Sequence, residues 1–244
     1  MQNYLNINQL KSFMLLELDK KPKGVTIVAG FPGFGLIGTI ATEFLIEHLN
    51  AVQIGKIRIE ELPPVVAIHQ GRVIEPLGIF YDKKYNLVIL HALTSINNIE
   101  WQLETQISKL MVELKPKKVI TIEGIGNAES QTPNIYYLSR GKDDSKKLNL
   151  PQLKEGIIIG ISGALLLKNY DNLLTLFAET KSALPDSRAA AKVIEILDKY
   201  LNLKVDYKPL LEKAANFENK IKSIMANKEK VSAAKENQEL TYLG

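Results

Sequence analysis

The chain has 244 residues, 45% of them apolar, with a formal net charge of +4 and no cysteine. The lack of cysteine excludes disulfide bonds, thiolate metal sites and a cysteine nucleophile. This length and apolar content suffice for one large α/β domain, with or without an appendage. The basic pairs are dispersed at turns and do not form a cluster with aromatic residues, so the charge does not favour nucleic-acid binding.

The first residues of the chain and the length of its apolar runs indicate where in the cell the protein is expected. Residues 1–8 are polar and lack the basic and apolar regions of a signal peptide. No apolar run approaches the roughly 20 residues that a membrane-spanning helix needs. We therefore expect a cytoplasmic protein that does not interact with membranes.

Apolar periodicity predicts strands that alternate with amphipathic helices. The predicted order is a strand at 13–18, a strand at 25–29, a helix from about 36, a strand at 54–59, a hairpin within 65–80, a strand at 87–93, a helix at 99–114, a strand at 119–122, a short strand at 135–138, a strand at 156–161 leading into a short helix, a strand at 173–177 and a helix from about 187 to 201. Such alternation predicts a largely parallel sheet covered on both faces, and the hairpin makes the sheet mixed.

The most informative segment is the glycine-rich turn at residues 30–38, which reads Gly-Phe-Pro-Gly-Phe-Gly-Leu-Ile-Gly. It follows a strand and precedes a helix, and its Gly33-x-Gly35-x-x-Gly38 spacing matches the dinucleotide-binding fingerprint. However, Phe31 and Pro32 separate the strand from the fingerprint. The alternative is a βα turn that packs against neighbouring loops, with Phe31 and Phe34 inside the fold or between protomers.

Several loops are expected to meet at the carboxyl ends of the parallel strands, where open α/β sheets bind ligands. Glu123, Glu179 and Asp186 would meet there, either as acid–base groups or, as we favour, as strand-end and capping groups. The three histidines are isolated and are interpreted as structural, and no metal-ligand spacing is present. Ser162 is interpreted as a helix cap. We therefore expect no enzymatic activity, no metal and no cofactor.

From residue 207 onward the composition changes, which predicts a domain at 1–206 and a C-terminal helix and tail at 207–244. Apolar residues alternate spacings of three and four there, as in a short heptad seam. This seam either packs on its own domain or pairs with a second copy of the chain. The residues assigned to this oligomer helix are Leu210, Phe217, Ile221 and Ile224.

The turn at 28–38 resembles the N-terminal signature of the proteasome assembly chaperone superfamily, archaeal branch. Weaker matches lie in the same order at 60–64, 124–126, 160–164 and 179–190, so the resemblance spans roughly residues 10 to 205. It implies a three-layer α/β sandwich with a largely parallel mixed sheet, nucleoside-phosphorylase-like topology and a C-terminal helical extension. It also implies a non-enzymatic homo-oligomer, such as a tetramer.

The resemblance further implies that the C-terminal tail docks on the proteasome α-ring. Such tails end in a hydrophobic residue, then tyrosine, then any residue, whereas Tyr242 is third from the end here and Leu243 is penultimate. The assigned tail residues are Leu240, Tyr242, Leu243 and Gly244. The expected function is a proteasome assembly chaperone or activator-like factor. The alternative is a small-ligand or nucleotide-binding enzyme that uses a loop site of Phe31, Gly33, Phe34, Gly35, Glu123 and Glu179.

Overall fold

The computed structural model describes residues 14–60, 66–69, 72–94, 96–127, 129, 132–141, 145–168, 170–209 and 211–212. Its five helices are α1 (Ile37–His48), α2 (Glu100–Leu114), α3 (Ser145–Leu148), α4 (Ile161–Leu167) and α5 (Ser187–Leu201) in these described ranges. The strands there are β1 (Met14–Leu18), β2 (Thr26–Gly30), β3 (Val52–Ile59), β4 (Ala67–His69), β5 (Arg72–Ile74), β6 (Leu77–Asp82), β7 (Leu87–Ala92), β8 (Lys118–Gly126), β9 (Ile135–Ser139) and β10 (Leu173–Thr180).

Eight of these strands form one mixed sheet in the order β1-β3-β6-β7-β2-β8-β10-β9. The four at the centre, β7, β2, β8 and β10, run parallel to one another. The strands outside them pair antiparallel. β4 and β5 form a separate antiparallel hairpin. The predicted mixed α/β sheet is therefore confirmed, with parallel pairing concentrated at its centre.

Helices cover both faces of the sheet, which gives three layers. Val28 of β2 packs in the core under α1 and α5, whereas Ile27 and Ala29 pack in the core under α2 and α4. A strand buried on both faces needs a continuous apolar run, because successive side chains point to opposite faces. The completely buried β7 shows the same pattern. The sequence prediction of buried central strands is thus confirmed.

Local signals at the helix ends act as predicted. Lys115 adopts a left-handed φ of 47° directly after α2, just before Pro116. Asp186 is the N-cap of α5, and its carboxylate accepts a 2.9 Å hydrogen bond from the backbone N–H of Ala189. That bond satisfies a donor which the first turn of a helix cannot satisfy internally.

The predicted strand at 156–161 is wrong. Residues 154–160 have no regular secondary structure, and α4 begins at Ile161. β10 already has a neighbour on each side, β8 and β9, so no place beside it remains for this segment. Glycines at 156 and 160 flank the run, and Gly160 adopts a φ of +87°. β8 and β10 are also longer than predicted and extend to Gly126 and Thr180.

The C-terminal predictions fall outside the described residues. The oligomer-helix residues Leu210, Phe217, Ile221 and Ile224 belong to that part of the chain, as do the tail residues Leu240, Tyr242, Leu243 and Gly244. Within the described ranges, the helices fall short of the length and apolarity that crossing a bilayer requires.

The cap of α5 gives a stability test. We expect Asp186→Ala to lower the free energy of unfolding by about 0.5–2 kcal/mol, because the N–H of Ala189 loses its acceptor. Asp186→Ser keeps a capping oxygen and should lower the free energy of unfolding by only about 0.3 kcal/mol. Urea unfolding of both variants measures the difference. Equal losses would show that the cap does not act through this hydrogen bond.

Candidate functional site

The glycine-rich turn leaves β2 and approaches its own helix very closely. A Cβ added at Gly30 would lie 2.0 Å from the carbonyl oxygen of Gly38. Residues 34–36 form a short 3-10 turn in which Gly35 has φ of 68° and Leu36 has φ of 49°. Left-handed φ suits glycine but strains leucine. The turn is therefore held in place by its contacts with the rest of the fold.

The same turn packs on the end of β8. A Cβ at Gly124 would lie 1.8 Å from the carbonyl oxygen of Phe34, and one at Gly126 would lie 3.1 Å from the ring of Phe34. A Cβ at Gly35 would lie 2.9 Å from the methyl group of Thr180. These glycines make room for neighbouring protein atoms, which favours the interpretation of a packed βα turn over a dinucleotide fingerprint.

Beside this turn, a cleft of about 550 Å³ lies at the carboxyl ends of the parallel strands. The turn forms one wall, and the end of β8 and the irregular segment before α4 form the others. The described residues that line it are 31–34, 97, 100, 123–126, 153 and 155–161. Its volume lies within the range of small-molecule sites, and its position is where open α/β sheets bind ligands.

Glu123 of β8 lies in this cleft, with a carboxyl oxygen 2.6 Å from the position that a Cβ of Gly33 would occupy. Burial raises the pKa of Glu123 to about 7, and the Ser162 hydroxyl opposes part of that rise. Ser162 is completely buried, and its Oγ has no hydrogen-bond partner of normal geometry among the described residues. The prediction that Ser162 caps a helix is wrong, because Gly160 occupies the N-cap of α4.

The cleft is acidic and has an apolar rim. Its polar side chains are Asn97, Glu100, Glu123 and Glu155, and no lysine, arginine or histidine is among its described lining residues. The rim includes large apolar side chains that lie in solvent, with exposed fractions of 44% for Phe34, 89% for Ile157 and 81% for Ile159. Phe31, by contrast, is buried in the core under α2. The cleft therefore combines negative charge with apolar surface.

The structure does not gather the three predicted acids at one point. Glu179 is buried outside the cleft lining, and its carboxylate accepts hydrogen bonds from Asn127 (3.1 Å), Asn134 (2.8 Å) and the Tyr136 hydroxyl (3.2 Å). Asp186 caps α5, as described above. Of the predicted loop site, Phe31, Gly33, Phe34 and Glu123 line the cleft, whereas Gly35 and Glu179 do not.

His91 lies in the core. Its Nδ1 is 2.8 Å from the hydroxyl of Thr42, and burial lowers the pKa of His91 to about 4. A neutral, buried and hydrogen-bonded imidazole fits the predicted structural role. In the described part of the chain, no group of three or more His, Asp or Glu side chains is arranged to hold a metal ion.

Sequence reasoning missed the segment 155–161 as a wall of the cleft. The sequence predicts a strand at 156–161, yet this segment is irregular and Ile157 and Ile159 lie in solvent. A short apolar run does not reveal whether the fold covers it. The flanking glycines at 156 and 160 were the available signal, because glycine on both sides of such a run is typical of a loop.

Together, the three layers, the glycine-rich turn and the cleft at the strand ends define an α/β domain with a ligand-sized recess beside its βα turn. Comparison with protein families identifies it further. The PAC2 family matches residues 27–225, well over half of the sequence. The chain belongs to the PAC2 family.

Three similar proteins come from the archaea Methanocaldococcus jannaschii and Pyrococcus furiosus. An uncharacterized protein of Methanocaldococcus jannaschii is 28% identical over 203 residues, covering 81% of this chain and 84% of the relative. Pyrococcus furiosus PbaA, described as an archaeal homolog of proteasome-assembly chaperone, is 29% identical with a TM-score of 0.78, covering 86% of this chain and 96% of PbaA. Pyrococcus furiosus PbaB, described as an archaeal proteasome activator, shares the fold at 21% identity with a TM-score of 0.72, covering 87% of this chain and 98% of PbaB.

The packing of the turn on β8 can be tested with a matched pair of glycines from the cleft. Gly124→Ala should lower the free energy of unfolding by about 1–3 kcal/mol or more, because the new Cβ would clash with the backbone of Phe34. Gly156→Ala should stay within about 0.5 kcal/mol, because its nearest neighbour is a side-chain carbon 3.5 Å away. Denaturant unfolding measures both. A harmless Gly124→Ala would mean that the turn moves freely away from β8.

Glu123 should make stability depend on pH. Below its ordinary pKa of 4.5 the carboxyl is protonated in both states. Between 4.5 and about 7 only the unfolded chain ionises, so the free energy of unfolding falls as pH rises. Glu123→Gln removes this dependence and should be the more stable protein at pH 8 by about 1–3 kcal/mol.

The measurement is urea unfolding at pH 5 and pH 8, with Glu155→Gln as the control from the exposed rim of the same cleft. The quantity of interest is the difference between variant and native protein, because other titrating groups cancel in it. A difference that does not grow between the two pH values would contradict the raised pKa of Glu123.

Proposed function

We propose that this chain is an archaeal-type proteasome assembly chaperone or activator-like factor, a non-enzymatic cytoplasmic protein that binds the proteasome α-ring. The observation that carries this proposal is the similarity to Pyrococcus furiosus PbaA over nearly the whole of both chains. Membership of the PAC2 family supports it. The family match at residues 27–225 includes the glycine-rich turn and all residues that line the cleft, so it is not confined to one motif.

The proposed contact with the α-ring is the C-terminal tail, with Leu240, Tyr242, Leu243 and Gly244 as its binding residues. A short terminal peptide binds a groove by burying apolar and aromatic side chains, while its carboxylate pairs with a cation. Because Leu243 stands where such tails carry tyrosine, either leucine replaces tyrosine or Tyr242 binds in a shifted register. Opening of the proteasome gate depends on which of these holds.

The chain acts as a homo-oligomer in this proposal. Several tails on one assembly bind one ring, and the effective concentration raises their joint affinity by about 10²- to 10⁴-fold over a single tail. The proposed oligomer helix is the seam of Leu210, Phe217, Ile221 and Ile224. Exposed apolar side chains in the α2 and α4 layer, Trp101, Val112 and Leu167, supply further surface that a second copy would cover.

The test is native mass spectrometry of the full-length chain mixed with an archaeal proteasome α-ring. We expect a complex with the full chain, and loss of that complex with a chain ending at Glu239, because the tail is then absent. The double variant Tyr242→Ala/Leu243→Ala should lose binding as well. Thr241→Ala is the matched control from the same tail and should bind as the native chain does.

The same spectra contain a second readout. The chain ending at Glu239 should keep the oligomeric mass of the full chain, because the seam ends before the deletion. Adding two residues after Gly244 displaces the terminal carboxylate and should weaken binding without changing the oligomer. Undiminished binding by the truncated chain would refute the tail mechanism, and a monomeric full chain would refute the oligomer.

The alternative is ligand binding in the cleft beside the glycine-rich turn. The specific observation in its favour is the carboxyl group of Glu123, held in a recess of about 550 Å³. A nucleotide is the less suitable ligand, because the charged side chains that recognise phosphate are basic. The first residues of α2 and α4 reach the lining, but no basic side chain does among the described residues. The described lining of this cleft instead carries three glutamates.

A further inference from the structure

The cleft beside the turn is acidic although the whole chain has a net charge of +4. Glu123 lies in it partly exposed, and among the residues that the structure describes the Ser162 hydroxyl is the side chain that acts on its carboxyl. The buried carboxylate of Glu104 is instead satisfied by several partners. Glu104 contacts Lys168 at 3.2 Å and Ser108 and Tyr170 at 2.6 Å each.

A carboxylate in a recess is less well hydrated than one in open solvent, so pairing it with a cation is favourable. We propose that this cleft binds a primary ammonium group carried on an apolar stem, with the Glu123 carboxylate as its counter-ion. The ammonium supplies three donors and a positive charge, and the described lining of the cleft contains no cationic side chain. Glu100 and Glu155 at the mouth add to the negative potential that attracts such a ligand.

The apolar stem of the proposed ligand is inferred from the apolar rim of the cleft. Ile157 and Ile159 are more than four-fifths exposed, and Phe34 is nearly half exposed, so apolar surface lies beside the acidic recess. An aliphatic stem that enters the cleft would remove part of this surface from water. The two features therefore select together for a ligand with one cationic end and an apolar body, and against a phosphate or carboxylate.

Binding should depend on pH through Glu123. The titratable groups that face it are Glu100 of α2 and Glu155 of the segment before α4, and the Ser162 hydroxyl of α4 lies beside it. An ammonium group pairs with the charged form of the Glu123 carboxylate. Below pH 7, where this carboxyl is mostly protonated, it must release its proton before the ligand can bind. With a pKa of about 7 for Glu123, affinity should be about tenfold higher at pH 8 than at pH 6.

The experiment is isothermal titration of the full chain with two matched pairs of probes, at pH 6 and pH 8. n-Hexylamine and n-hexanol share a stem and differ in charge. Nα-acetyl-lysine amide and Nα-acetyl-norleucine amide also share an aliphatic stem and differ in charge. They mimic a side chain of a partner protein. We expect the amines to bind more tightly than their neutral partners, and more tightly at pH 8. Binding of hexylamine alone indicates a free amine as ligand, and binding of the lysine amide indicates a segment of a partner protein.

Three variants separate the contribution of the acidic side chains to binding from that of the apolar rim. Glu123→Gln should weaken amine binding about ten- to hundredfold and abolish its pH dependence, because a charge-assisted hydrogen bond is lost. Glu155→Gln, at the mouth, should have a smaller effect. Ile157→Ser lies in solvent and should fold normally, and it should weaken the amine and its neutral partner equally. Thermal unfolding of each variant verifies that it is folded.

Equal affinity for hexylamine and hexanol, an amine affinity unchanged in Glu123→Gln, or no binding of any probe at millimolar concentration would each overturn the proposal. So would preferential binding of adenosine monophosphate in the same titration. The chain ending at Glu239 should bind hexylamine as the full chain does. Failure here is therefore distinguishable from failure of the proteasome-binding proposal, which depends on the tail.

Discussion

The close approach of the glycine-rich turn to the end of β8 is the constraint on which the rest of the structure depends. The turn's backbone at Phe34 lies where a Cβ of Gly124 would be, and β2 and α1 meet at Gly30 and Gly38. This contact sets the direction in which α1 leaves the sheet. It also places Gly33 against the carboxyl of Glu123, so the same packing that orders the fold forms a wall of the cleft. Larger residues at these positions would separate the turn from the sheet.

The second consequence of this packing is electrostatic. Because the turn, β8 and the segment before α4 enclose Glu123, water no longer stabilises its charge fully, and its pKa rises to about 7. Glu179, two positions beyond Phe177 on the neighbouring strand, is more deeply buried than Glu123 but accepts hydrogen bonds from three side-chain donors. Two glutamates near the same end of the sheet thus have different surroundings. Glu179 is held by hydrogen-bond donors, whereas Glu123 faces the cleft. The hydrogen bonds of Glu179 fit a structural role, and Glu123 is the residue that we propose binds a ligand.

The domain and the C-terminal region divide the proposed roles between them. The domain carries the PAC2 family match and the similarity to PbaA. The proposed contact with the α-ring instead resides in the last residues, where a peptide gains affinity through repetition on an oligomer. A ligand in the cleft would bind far from these residues in sequence. The two proposals therefore make separate demands on the chain and can be true independently.

Sequence alone determined the class of fold, because apolar periodicity and glycine, proline and aspartate signals depend on near neighbours in the chain. The buried central strands, the end of α2 and the cap Asp186 belong to this group. Tertiary structure decided what depends on distant partners. The isoleucines at 157–159 became a partly exposed cleft wall because β9 occupies the edge of the sheet beside β10. Glu123 and Glu179 looked equivalent in sequence, and only the atoms brought to them by other segments separated a carboxyl in a recess from one that is fully hydrogen-bonded.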